Sequence, residues 1–290
     1  MIVRMFNFWY FFWILACVGI AVLCYYLLKE RSEKTKKIAI FSMLAFALAL
    51  HFFKLLFPPY LSNEVLRWRD SWFINICGAN IFLFPFLFFS KNKYIKDYMF
   101  FMGLIGGGLA LLYPTEALNK TIENPLFFDT VRFYLHHMIL FIAPLLMVLL
   151  GVHKVSYKRV LSCPTGLLIV MLFIMLNQVL QSELGFVELR GEDFFGIGYK
   201  NTSFIWGPGD DSLAQIFVIF CPEVFRTVPA GPYAGQEKFW PWFWLIVPVY
   251  VYLTALAFLI SMIFDGKAFE NDFKNLVGKI KALFKPKSER

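Results

Sequence analysis

Long apolar runs that carry almost no charge recur from one end of this chain to the other. About 20 such residues cross a bilayer as a helix, and only helices or closed barrels can pair every backbone N–H and C=O there. Charged residues are 17% of the 290 positions, well below the level of an ordinary globular domain. The mean hydropathy of +0.62 agrees. The expected fold class is all-α: a polytopic transmembrane helix bundle, multi-pass in the cell membrane, with no sizeable soluble domain. The net charge of +8 does not indicate a nucleic-acid partner, because the bases stand in short segments between apolar runs.

Seven spans are expected, at about 8–28, 38–57, 72–89, 98–113, 128–150, 164–180 and 239–264. The first is too long for a signal-peptide core and lacks a small-x-small cleavage site, so it is expected as a mature helix. Basic runs follow spans one, three, five and seven: Lys29–Lys37, Lys91–Lys96, His153–Arg159 and the stretch from Lys267 onward. The segments after the even spans are mixed or acidic. The longest, Ser182–Lys238, has eight acids against four bases. The positive-inside rule then predicts the amino terminus outside and the carboxyl terminus inside.

Residues 1–266 form the expected transmembrane domain and 267–290 a basic cytoplasmic tail. Phe273, Leu276, Val277, Ile280, Leu283 and Phe284 fall at helical spacing among lysines, which predicts an amphipathic helix on the anionic inner leaflet. Ser212–Cys221 is too short to span and is expected to be re-entrant or interfacial. Asn119 and Asn201 open glycosylation sequons in outside segments. Cys17, Cys24, Cys77, Cys163 and Cys221 show no metal or disulfide spacing, and each has a plain reading as a small buried hydrophobe. No cofactor or metal is expected.

Polar residues inside such spans are costly unless satisfied, and they mark function by default. At about 1.5 Å of rise per residue, several of them share the outer third of the bundle. These are His51 and Lys54 at the end of span two, Asn75, Cys77 and Asn80 in span three, Arg132, His136 and His137 in span five, and Asn177, Gln178 and Gln181 in span six. Each has a bland alternative. A membrane histidine such as His51 can be a satisfied packing residue, and Lys54 is expected to snorkel to the headgroups. Asn177 and Gln178 can be interhelical glue worth about 0.6 kcal/mol. Gly103, Gly106, Gly107 and Gly108 suit close helix approach. The shared depth favours nucleophilic chemistry, with Cys77 as the thiol, a histidine as its base, and an asparagine or second histidine as support. On an ideal helix Asn80 shares a face with Cys77, whereas Asn75 points largely away.

Three motifs fall in order between Asn75 and Pro144: Asn-Ile-Cys-Gly, Gly-Leu-Ile-Gly-Gly-Gly-Leu-Ala-Leu-Leu-Tyr-Pro and Arg-Phe-Tyr-Leu-His-His-Met-Ile-Leu. In that order and spacing the chain resembles the YwaF-like integral membrane proteins of bacteria and their animal relative, a transmembrane acyltransferase that remodels ether phospholipids. The likeness covers spans three to six, with a fainter echo at Gly231-Pro232-Tyr233. It implies that Cys77 carries an acyl group as a thioester and that His137 matches the family's histidine in span five. Two positions depart. Asn75 stands where bacterial relatives often have His, as in the animal form, and Gly78 stands where the animal form has His directly after the cysteine. His137 or His136 would then have to serve as base.

The expected function is a lipid acyltransferase or transacylase. Catalytic Cys77 and His137 would be supported by His136, Asn75, Asn80, His51 and Asn177. An outer-leaflet site would not meet acyl-CoA, so membrane phospholipid is the expected acyl donor and a lysophospholipid the acceptor. Ser182–Lys238, with Trp206, Pro208 and the aromatic border Phe239–Trp244, is expected to form a lid. The alternative is a lipid or small-molecule transporter or binding protein that uses the same polar layer without catalysis, although no inverted repeat is visible.

Overall fold

Most of each apolar run becomes helical in the computed structural model, which describes residues 3–58, 60–114, 127–187, 189–201, 203–209 and 212–283. Among the described residues the helices are α1 (Phe8–Leu28), α2 (Glu33–Phe53), α3 (Glu64–Ser71), α4 (Ile76–Leu87), α5 (Lys93–Met102), α6 (Gly108–Leu112), α7 (Phe128–Leu149), α8 (Ser162–Glu183), α9 (Ser212–Val218) and α10 (Ile246–Leu283). Among the described residues the only β pairing is one bridge between Thr227 and Glu237. Six helical stretches of the described residues are long and apolar enough to cross a membrane, and the bent pair α3 and α4 makes a seventh if counted as one span. The protein is an all-α, multi-pass membrane protein.

Boundaries depart from the sequence expectation where local chemistry overrides hydropathy. The second helix starts at Glu33 rather than 38. Ser32 Oγ caps it by accepting the Thr35 N–H at 3.2 Å, and Glu33 pairs with Lys37 one turn on at 2.5 Å. The lysines expected in a loop therefore sit on a helix. The fourth span runs from Lys93 to Leu112 through a π turn at Gly103–Gly107. The last helix starts at Ile246, later than 239, breaks at Asp265 (φ −132°) and continues to Leu283. The segment from Ser212 is a seven-residue helix that rests on α10, where its Ile216 carbonyl accepts the Tyr252 hydroxyl at 3.0 Å. Asn119 lies outside the described residues.

The central helix is α7, which packs against α1, α2, α4, α5 and the π turn. Only Tyr10, Trp13 and Cys17 of α1 are buried. Trp13 stacks on Tyr134 at 4.7 Å and 7°, and most of the other apolar side chains of α1 face outward, as lipid permits. The π turn meets α7 backbone to backbone. A Cβ on Gly103 would stand 2.5 Å from the Leu140 carbonyl and 2.6 Å from Pro144 Cγ, and one on Gly107 would stand 3.0 Å from Phe141 N. Pro144 has no N–H to give Leu140, so α7 exposes a carbonyl there, and Gly103 fills the space beside it. Gly106 and Gly108 make only ordinary contacts.

Candidate functional site

The local sequence Trp72-Phe73-Ile74-Asn75 is not helical. Asn75 is the N-cap of α4, with φ −141° and ψ 169°, and its Oδ1 accepts the Gly78 N–H at 2.7 Å. The expected continuous span 72–89 is thus replaced by α3, an extended link and α4, with a 47° bend. Asn75 can open a new helix here because its side chain supplies the acceptor that a helix start otherwise lacks. Cys77, half-buried, falls in the first turn of α4, where N–H groups lack intrahelical acceptors and face any negative charge beside them. A Cβ at Gly78 would stand 3.2 Å from Asn75 Oδ1, so this position is crowded by the cap.

Asn80 is buried, and its Oδ1 accepts the Tyr98 hydroxyl at 2.8 Å. Tyr98, on α5, lies flat against Gly166 of α8. Its hydroxyl is within electrostatic reach of Cys77 and Cys163. The structure therefore turns the Asn80 carbonyl toward a phenol. Sequence reasoning missed Tyr98, whose only signal was a tyrosine just past a basic run, which reads as an interfacial aromatic.

The histidines gather where α2 meets α7. Phe57 stacks on Phe128 at 4.1 Å and clamps the end of α2 to the start of α7. His51 donates from Nε2 to the Ser71 carbonyl at 3.3 Å, and its ring stacks with His136 at 6.3 Å. Arg132 donates to Asp129 Oδ1 at 2.7 Å and to His136 Nδ1 at 3.2 Å. His137 donates from Nδ1 to the Phe133 carbonyl at 2.7 Å. Arg132, His137, His51 and Lys54 all lie within electrostatic reach of His136. Lys54 does not snorkel. It is 5% exposed with Nζ 4.9 Å from the Tyr60 ring, because the chain tightens into a 3-10 turn at Lys54–Leu56 and an aromatic face offers the ammonium a partner.

The two adjacent histidines are chemically distinct. A guanidinium only donates, so His136 accepts at Nδ1 and carries its proton on Nε2; that nitrogen is buried with no hydrogen-bond partner among the described residues. A carbonyl only accepts, so His137 carries its proton on Nδ1 and holds its lone pair on Nε2. Position 137 has the form of a base, and position 136 that of a donor.

The α8 contribution comes from Gln178 rather than Asn177. Gln178 Nε2 donates to the Ile74 carbonyl at 2.7 Å, just before the cap of α4. Its Oε1 accepts from Asn201 Nδ2 at 2.9 Å. Asn177 Nδ2 and both amide atoms of Gln181 are buried without partners among the described residues. The Asn201 amide is engaged, since Oδ1 also accepts from Ser203, which leaves it poorly placed as a sugar acceptor. Trp206 is buried against Phe194 at 5.0 Å and Tyr199 at 5.8 Å, so this segment is a packed cap on the end of α8.

Ser71, the last residue of α3, accepts from His51, and Asn75, four residues on, caps the helix that carries Cys77. The fourth helix packs against α2, α5, α7 and α8. No three metal-ligating side chains come together among the described residues. No curated protein matches the chain, and no solved structure matches it. Residues 5–206, more than half of the chain, match the sequence model of the TMEM164 family.

Proposed function

This chain belongs to the TMEM164 family, and from that premise we propose that it is a membrane-embedded lipid acyltransferase or transacylase working through an acyl-cysteine. The observation that carries the reading is the start of α4: a cysteine in the first turn of a helix that begins inside an apolar bundle, under an asparagine cap. The motif resemblance between Asn75 and Pro144 supports the same role.

In this reading His137 Nε2 takes the Cys77 thiol proton as sulfur attacks the ester carbonyl of a phospholipid. The first-turn amides of α4 other than that of Gly78, which Asn75 takes, and the His136 Nε2–H stabilise the oxyanion. The C–O bond breaks, the lysolipid alkoxide takes the proton from His137, and the acyl group remains on sulfur as a thioester. An acceptor lysolipid hydroxyl then gives its proton to His137 and attacks the thioester. The new ester leaves, and the thiolate recovers the proton. Asn80 and Asn75 act by holding α4 rather than by touching substrate. The 182–238 segment, tied to the α4 link through Asn201 and Gln178, covers the entrance.

The test is thioester trapping with a phospholipid labelled in its acyl chain. Wild type is expected to retain hydroxylamine-labile label and Cys77→Ala none. Equal labelling of the two would sink the proposal, and lipid transport that survives Cys77→Ser without any label would favour a transporter.

A further inference from the structure

The lysine-rich end of the bundle, opposite the histidine cluster, holds a cavity of about 310 Å³ between the 153–159 segment and the hinge of α10. Its lining includes Lys93, Lys154, Lys158, Arg159, Asp265 and Ala268. We propose that this cavity binds the phosphate headgroup of a net-anionic membrane lipid.

The walls are fixed by three carboxylates, each already engaged. Asp97, fully buried on α5, accepts Arg159 Nε at 2.6 Å and His153 Nε2 at 2.5 Å. Arg159 also donates to the Lys154 carbonyl at 2.8 Å, which pins the segment's backbone. Asp265 Oδ2 accepts Ser156 Oγ at 2.9 Å and the Tyr157 N–H at 3.2 Å. Asp272 takes the Tyr157 hydroxyl and Lys158 Nζ, both at 2.5 Å. With these acids occupied, the exposed lysines Lys93 and Lys154 have no acidic partner among the described residues. Solvated positive-inside lysines usually stand on open surface. Here two of them border a rigid recess.

The depth of the recess selects a lipid. After the break at Asp265 the last part of α10 turns across the end of the bundle, so that Phe269 meets both Tyr157 at 5.3 Å and Phe258 at 5.5 Å. The turned segment exposes Phe273, Leu276 and Ile280 beside its lysines. Such a stripe lies in the headgroup–acyl boundary, which puts the cavity mouth level with lipid phosphates. Lysine ammonium groups hold phosphate as point charges, and basic recesses at this depth take anionic headgroups. A choline headgroup would bring its own cation against the two lysines, so a net charge is required. Bound there, the lipid would tie the start of α5, the α7–α8 connection and the hinge of α10 into one unit, at a site separate from Cys77.

The experiment is native mass spectrometry of the full-length protein after equilibration with vesicles of equal phosphatidylglycerol and phosphatidylcholine. Wild type is expected to retain phosphatidylglycerol in preference. The double variant Lys93→Gln with Lys154→Gln should hold about tenfold less, and Lys93→Arg with Lys154→Arg should restore it. Both positions are exposed, and an unchanged melting temperature would confirm folding. Equal retention by wild type and the Gln variant would overturn the proposal, as would equal retention of the two lipids. Displacement by millimolar inorganic phosphate would show a free-anion site and overturn the lipid assignment. Loss of retention on Phe273→Asp, with none on the lysine swap, would reduce the effect to surface adsorption.

Discussion

Arg132 and the Phe133 carbonyl impose opposite proton placements on two neighbouring rings, and this difference can be tested directly. If His137 Nε2 is the base, His137→Gln should lower the rate of Cys77 acylation by about a hundredfold or more. His136→Gln keeps an N–H donor, and it is expected to slow acylation while leaving its pH dependence in place. Single-turnover labelling across pH measures both, and the reverse pattern would exchange the roles. The histidines were visible in the sequence as residues at a shared depth. Their tautomers were not, because those depend on which atom of Arg132 or Phe133 faces each Nδ1. Lys54 shows the same limit: its position near a boundary suggested snorkelling, and Tyr60, six residues on, holds it inside instead.

Individual helices follow their own punctuation. Asn75 ends the extended link because its side chain can replace the missing acceptor for the Gly78 amide. Pro144 in α7 and the glycines of the π turn form a matched pair, one freeing a carbonyl and the other letting backbone approach it. Gly103→Ala should therefore force α5 and α7 apart, at a cost of about 1–3 kcal/mol. Gly106→Ala, whose added carbon would meet nothing closer than Met102 Cε at 3.7 Å, should be nearly neutral. Thermal unfolding of the purified variants in detergent distinguishes them, and equal melting temperatures would refute the packing account. The glycines were legible as a close-approach motif, but that Gly103 and Gly107 carry the contact depends on the rotation of one helix against another.

Across the whole molecule, the connection between the bundle and its tail depends on charge. Hydrogen bonds from Lys158 and then Tyr157 hold the Asp272 carboxyl below its usual range, and the bond to Asp272 holds Lys158 above its own. A lowered acid stabilises docking above its ordinary pKa of about 3.9 and loses that contribution as pH falls through the lower folded value. A raised lysine contributes below about 10.4 and loses it as pH climbs through the higher folded value. The turned segment of α10 is thus expected to stay docked between about pH 4 and pH 10 and to loosen outside that window. Limited proteolysis across pH reads this, and Asp272→Asn should remove the change on the acid side. These groups are solvent-exposed, so added salt should weaken the contact as well.

The sequence by itself determined that this protein is a helical bundle in a membrane, because backbone groups in lipid must be paired within a span and long uncharged runs permit nothing else. It also placed several polar residues at a shared depth, since only position along a helix was needed for that. Tertiary structure decided their partners: Asn80 with Tyr98, Gln178 rather than Asn177 with the Ile74 carbonyl, and Arg132 with both Asp129 and His136. It also decided that α4 starts at Ile76, because hydropathy is blind to whether an apolar stretch is helical or extended. Depth follows from counting along one helix, whereas a partner depends on the rotation and tilt of two, and those are set only when the helices pack.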